Sequence, residues 1–160
     1  MHLAVPRPEH YLELMSWFPT SEKLYIWSGP DFRYPFNEQS FVEDLNIDKI
    51  ETKVLLEGQQ LLGFGQLYER QGRCHLGRLV VNPQYRGKQI GEKLIHQLMQ
   101  LGDKILSTNG YSLFVLQDNL SAIKLYRRMG FEFAQYQKPM KLENCLYMVK
   151  DCIKNTHDKN

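Results

Sequence analysis

Cysteine is scarce in this chain of 160 residues: Cys74, Cys145 and Cys152 make an odd count without a C-x-x-C pair. That excludes a disulfide framework and a structural zinc site. Histidine is as thinly spread. His2, His10, His75, His96 and His157 show no H-x-x-x-H spacing, so no metal is indicated. No apolar run approaches the roughly 18 residues of a membrane span, and "MHLAVPRPEH" lacks the basic-then-apolar order of a secretory leader. The expected setting is the reducing cytoplasm, with no membrane partner. Charge of one sign is lacking too. A net charge of +2 is too small to hold nucleic acid by its field, so any anion site must be local. An apolar fraction of 42% with 24% charged residues argues against wholesale disorder. The length suits one domain, expected over residues 1–152, with residues 153–160 as a disordered polar tail.

What is present falls into two textures. The first third reads as short helices: "PEHYLELMSWF" after Pro8, "SEKLYIWS" behind the N-cap candidate Thr20, and "NEQSFVEDLNI" with Phe41, Val42 and Leu45 on one side. From Lys53 the pattern turns to strands. "KVLLEGQQLLGFGQLYERQGRCHLGRLVVN" predicts three antiparallel strands joined by "EGQQ" and "RQGR". A long amphipathic helix follows, with Ile90, Leu94, Ile95, Leu98 and Met99 on one stripe. "YSLFVLQD" is a buried strand, "NLSAIKLYRRMG" a helix capped by Asn119 and stopped at Gly130, and two strands close the chain. The expected fold is α/β (α+β): a mixed, mostly antiparallel sheet with helices on both faces. The strands "HLGRLVV" and "YSLFVLQD" flank the long helix and should be parallel neighbours, with a ligand entering between them.

The stretch "LVVNPQYRGKQIGEKLI" puts an arginine, a lysine and two glycines where a strand hands over to a helix. A helix start leaves N–H groups without partners and carries a partial positive charge. Glycine lets an anion approach the backbone, and arginine grips a phosphate through two donors. The chemistry fits a phosphate or pyrophosphate. Two familiar binders are excluded: no G-x-x-x-x-G-K-[ST] occurs, and Tyr68 stands where the third glycine after Gly63 and Gly65 would complete a dinucleotide fingerprint.

These residues resemble the GNAT superfamily of acetyl-CoA-dependent N-acetyltransferases. Val81, Pro83, Arg86, Gly87, Ile90, Gly91 and Leu94 match the loop V-x-P-x-x-[RQ]-G-x-G-[IL]-G-x-x-L in register. Asn119, Ala122, Leu125, Tyr126, Gly130 and Phe131 match the second signature, N-x-x-A-x-x-[LF]-Y-x-x-x-G-F. The middle glycine of the loop is Gln89 here. The resemblance implies a GNAT-like twisted sheet whose parallel central pair splays for the cosubstrate. It also implies acetyl transfer from acetyl-CoA to a primary amine, by direct attack in a ternary complex. The alternative is a non-catalytic acyl-CoA-binding sensor or scaffold on the same fold.

The resemblance further implies that the backbone of Leu79, Val80 and Val81 pairs with the pantetheine arm. Arg86, Gly87, Lys88, Gln89, Ile90 and Gly91 would surround the pyrophosphate. Gln89 is expected in a helical first turn, its side chain turned away and its N–H kept for the phosphate. Tyr126 would protonate the leaving thiolate, although its spacing with Ile123 and Met129 also fits a core tyrosine. Asn119 would touch the cosubstrate and is a good N-cap in any case. Glu69, then His75, are the candidates for general base, each also an ordinary strand-end residue. Gly77 marks either a bulge that opens the gap or simple relief of crowding. The acceptor, a small molecule or a protein amine, should meet the face covered by the N-terminal helices. The protein is expected to work as a monomer or homodimer.

Overall fold

The fold is described from a computed structural model, which covers residues 1–87, 89–140 and 142–152. Residues 153–160, expected as a tail, and Lys88 of the loop lie outside the described residues. The strands form one sheet in the order β1-β2-β3-β4-β5-β7-β6. They are β1 (His2–Ala4), β2 (Glu51–Glu57), β3 (Gln60–Arg70), β4 (Arg73–Val81), β5 (Gly110–Leu116), β6 (Glu132–Ala134) and β7 (Cys145–Asp151). Every neighbour pair is antiparallel except β4 and β5. The mixed sheet with its single parallel pair is therefore as expected. β1 was not: the first residues read as a short apolar run, and they are a strand because His2 to Ala4 pair with Leu56 to Val54.

The helices divide between the two faces. α4 (Ile90–Ile105) buries Ile90, Leu94, Ile95, Leu98 and Met99, the predicted stripe, in a cluster with Leu55, Leu67, Leu76 and Leu113. α5 (Leu120–Arg128) adds Tyr126 to the same cluster. Close approach of α4 to the sheet depends on Gly65, where a Cβ would stand 2.6 Å from Leu98 Cδ1 and 3.0 Å from Leu79 Cδ2. The other face carries α1 (Pro8–Met15), α2 (Ser21–Ser28) and α3 (Glu38–Leu45). Its cluster is aromatic: Trp27 stacks on Phe18 at 4.3 Å between centroids and meets Phe32 edge-on at 5.7 Å. Burial of such rings is the main stabilising term on this face.

Two features of β4 open the sheet. The parallel ladder to β5 runs Cys74↔Tyr111, His75↔Ser112 and Leu76↔Leu113, and goes no further. Beyond Leu76 the side of β4 that faces β5 has no strand partner. On the other side, Phe64 pairs with Val80 and Gln66 with Gly77, so β4 spends an extra residue against β3. The bulge thus falls on Arg78 and Leu79, next to Gly77 rather than at it. Arg78 takes the left-handed conformation, with φ 48°, and Trp27 Nε1 donates to its carbonyl at 2.9 Å.

Candidate active site

The unpaired edge of β4, from Gly77 to Val81, forms one wall of a gap whose other wall is the far half of β5. Peptide groups that lack a strand partner can accept an extended ligand arm in place of a strand. Leu79, Val80 and Val81 lie on this edge, and Val80 and Val81 keep their pairing to β3 on the opposite side. The end of the strand is anchored. Asn82 is buried, its N–H donates to Leu62 O at 2.8 Å, and its Nδ2 donates to Leu61 O at 2.9 Å. Its Oδ1 accepts from the Gln84 N–H at 3.0 Å and shapes the 3-10 turn Pro83–Tyr85.

The loop then delivers the start of α4 to the mouth of the gap. Three shorter helices are capped by side chains: Thr20 accepts from Lys23 N–H, Asn37 from Ser40 N–H, and Asn119 from Ala122 N–H. The 16-residue α4 has no such cap from Gln89. Among the described residues, the N–H groups of Ile90 and Gly91 find no acceptor. The longest helix therefore leaves its first donors and its dipole for an anion. Arg86 is exposed beside them, and Gly87 has φ +84° with open space where a side chain would stand.

One expectation in this loop changes. Gln89 is not in a helical turn; it holds φ 60° and ψ 17° in the left-handed region, the conformation that the expected glycine favours. Gly91 is tightly packed, since a Cβ there would lie 3.2 Å from Leu125 Cδ2 and that side chain would have to give by a few tenths of an ångström. Gly87, by contrast, has nothing within 4 Å of where a Cβ would stand.

Tyr126 projects from α5 into the same cluster as α4. It is buried, at 9% exposure, and burial pushes its phenol up to about 12. Its hydroxyl has no hydrogen-bond partner among the described residues. No fully enclosed side-chain oxygen there lacks a partner, so the hydroxyl must reach an opening. Such a phenol stays protonated across the neutral range and is free to donate. Asn119 is committed in part, because its Oδ1 accepts from Ala122 N–H at 3.3 Å and Ser121 Oγ at 3.3 Å.

The two candidate bases are not brought to the gap. Glu69 is exposed and pairs with Cys74, five residues before Leu79, about 16 Å back along β4 at the ordinary strand rise. It also shares the α4 side of the sheet with Leu67. His75 lies inside the sheet, 2% exposed, with Nδ1 at 2.8 Å from Ser112 Oγ. Burial, and secondarily the charge of Arg70, hold its pKa down at about 3, so it remains neutral and is a poor proton acceptor. Sequence reasoning also passed over Arg70 and Arg78, whose aromatic surroundings arise only through pairing of distant strands.

Comparison with known proteins agrees with this geometry. Residues 21–131 match the model of the "Acetyltransferase (GNAT) family". The chain is 33% identical over 64 residues to the spermine/spermidine N(1)-acetyltransferase of Bacillus subtilis strain 168, covering 40% of this chain and 42% of that protein. The chain thus spans less than half the length of that relative. In fold it is similar to the ribosomal-protein-alanine N-acetyltransferase of Brucella melitensis, with a TM-score of 0.70, 18% identity, and 95% of this chain and 100% of that one covered. A Thermoplasma acidophilum PaiA N-acetyltransferase in complex with coenzyme A gives 0.69, at 17% identity over 94% and 98% of the two chains. A splayed parallel pair, an uncapped helix at its mouth and a match over more than two thirds of the sequence lead to one placement: this chain belongs to the GNAT acetyltransferase family.

Proposed function

We propose that this protein transfers an acetyl group from acetyl-CoA to a primary amine, by direct attack of the amine on the thioester while both are bound. The observation that carries the reading is the open β4 edge leading to the uncapped start of α4. An extended pantetheine arm fits the first, and a pyrophosphate fits the second. In this reading the backbone of Leu79, Val80 and Val81 binds the arm. Arg86, Gly87, Lys88, Gln89, Ile90 and Gly91 surround the pyrophosphate, and Asn119 adds its amide nitrogen.

The amine nitrogen forms a bond to the acyl carbon, the carbon–sulfur bond breaks, and the thiolate leaves with a proton from Tyr126. A backbone N–H near Val81 steadies the carbonyl oxygen as negative charge develops on it. The proton lost by the amine leaves through water, because neither Glu69 nor His75 stands at the gap as an available base, and water returns a proton to the Tyr126 phenolate. The reading is tested by incubating the protein with acetyl-CoA and a panel of primary amines and following free thiol. Tyr126→Phe should lower turnover by about a hundredfold and leave acetyl-CoA affinity nearly unchanged. A Phe variant with full activity would return Tyr126 to a packing role.

A further inference from the structure

On the acceptor side of the sheet lies a cluster that acetyl transfer itself does not use. Gln66, Tyr68 and Arg70 occupy alternate positions of β3 and share the face covered by α1 to α3. Tyr68 touches His75 at 5.3 Å between ring centroids, and His75 touches Phe114 at 4.6 Å. Phe114 follows Leu113, the last rung of the parallel ladder, so this row of rings ends where the gap begins.

Arg70 lies across the row. Its guanidinium carbon is 5.3 Å from the Tyr68 ring centroid, 5.1 Å from Phe114 and 5.9 Å from Tyr136, and Nη1 donates to the Tyr136 hydroxyl at 2.9 Å. Aromatic faces hold the group flat without neutralising it. On the far side of Tyr68, Arg78 sits 4.9 Å from the centre of the Phe32 ring. Its Nη1 donates to Gln66 Oε1 at 2.8 Å and Leu45 O at 3.4 Å, both uncharged acceptors.

Four of the other six arginines are paired with acids, Arg7 with Glu9, Arg33 with Glu43 and Asp44, Arg73 with Asp151 and Arg128 with Glu92, and the remaining two, Arg86 and Arg127, are exposed to water. Among the described residues, neither Arg70 nor Arg78 has such a partner within 4.0 Å. The charges of Asp31 and Asp44 reach Arg78 from beyond ion-pair distance, and Asp44 is itself engaged by Arg33 through its side chain and its backbone N–H. Taking guanidinium groups out of water without a counter-ion is costly, and their planar forks are shaped for a carboxylate.

We infer that the amine acceptor carries a carboxylate near its reactive nitrogen, and that Arg70, backed by Arg78, receives it. This rests on the acetyl-transfer reading, and it makes the acceptor site select for an anionic group. A polyamine would bring positive charge against the Arg70 guanidinium, which has no acid partner within 4.0 Å among the described residues, and this is disfavoured. A cation bound to the rings themselves would first have to displace Arg70.

The test compares γ-aminobutyrate with its carboxamide and with putrescine, and Ala-Glu-Ala-amide with Ala-Gln-Ala-amide. Each is assayed by thiol release with acetyl-CoA and by calorimetry on the CoA-loaded protein. The acid should exceed its amide by about tenfold or more in kcat/KM, the worth of one charge-assisted hydrogen bond. The arm that shows the preference tells whether a small amino acid or an acidic peptide supplies the carboxylate. Arg70→Met should reduce the preference to within about twofold, and Arg70→Lys should restore part of it. Arg70→Gln serves as a second variant if the Met protein does not fold. Equal rates and heats for acids and amides overturn the inference, as does a folded Arg70→Met protein that keeps the preference. If no amine releases thiol, the transfer reading fails on its own. Calorimetry then decides the site: acid binding lost in Arg70→Met supports it, and heats that ignore the carboxylate refute it.

Discussion

Replacing Gln89 by glycine should stabilise the protein, the reverse of what its place before a helix suggests. In a helical first turn, glycine would cost up to about a kcal/mol relative to glutamine. Gln89 instead has φ 60° and ψ 17°. An L-residue held there costs about 1–2 kcal/mol, which glycine escapes. Against this stands the extra freedom glycine brings to the unfolded chain, about 0.5–1 kcal/mol. The side chain is exposed and makes no capping hydrogen bond, so removing it forfeits no contact of that kind. The net gain is about 0.5 kcal/mol and at most about 1.5 kcal/mol, or a rise in Tm of up to roughly 5 °C for a chain of this size. Urea and thermal unfolding of the parent, Gln89→Gly and Gln89→Ala measure it, with Ala staying within about 0.5 kcal/mol of the parent because it keeps the strained φ. Acetyl-CoA affinity should be similar in all three, since the proposed pyrophosphate site uses only the backbone N–H of residue 89. A glycine variant destabilised by about 1 kcal/mol or more would refute the left-handed assignment.

Two further outcomes follow from the packing. Gly65→Ala places a methyl 2.6 Å from Leu98 Cδ1 and 3.0 Å from Leu79 Cδ2, so the buried Leu98 side chain or α4 itself must shift. It should cost about 1–3 kcal/mol in urea unfolding, and a neutral result would mean that the two leucines yield without loss of packing. His75 is neutral in the fold, with a pKa of about 3 against the ordinary 6.5, so the unfolded chain binds the extra proton first. Its contribution is present above pH 6.5 and is lost as the pH falls toward 3. His75→Gln should flatten the fall in stability over that window by up to a few kcal/mol, and an unchanged acid limb in pH-dependent unfolding would contradict the burial.

The sequence discloses local features best. Both signature stretches, Val81 to Leu94 and Asn119 to Phe131, consist of neighbours whose chemistry is set by spacing along the chain, and the strand, loop and helix they mark are all present. The α4 stripe was legible for the same reason. What escaped depends on pairing. β1 is three residues long and is a strand only because β2 accepts it. The bulge sits at Arg78 because register with β3 decides it, and a glycine at 77 was the available local cue. Glu69 and His75 looked alike as strand residues. Their difference is that Glu69 stays in water while His75 is closed over by the ring of Tyr68 on the neighbouring strand and by Ser112 and Phe114 of β5, the former 37 positions away along the chain. The aromatic bed of Arg70 is likewise assembled across 66 residues, from β3 to Tyr136.

The bulge in β4 also acts as a change of reading frame for the strand. Ahead of it, the even-numbered Cys74 and Leu76 face α4; after it, the odd-numbered Leu79 and Val81 do so, while Val80 turns to the aromatic cluster. The same step reverses which peptide groups point toward β5, since successive groups alternate sides. With one residue fewer between Gly77 and Val80, Gly65 would pair with Leu79 in plain register, and Leu79 and Val81 would keep their places against α4. The extra residue is thus absorbed on the spot, and what it adds is the bend of the strand. A single insertion or deletion elsewhere in β4, with no bulge to absorb it, would turn Leu79 and Val81 away from α4.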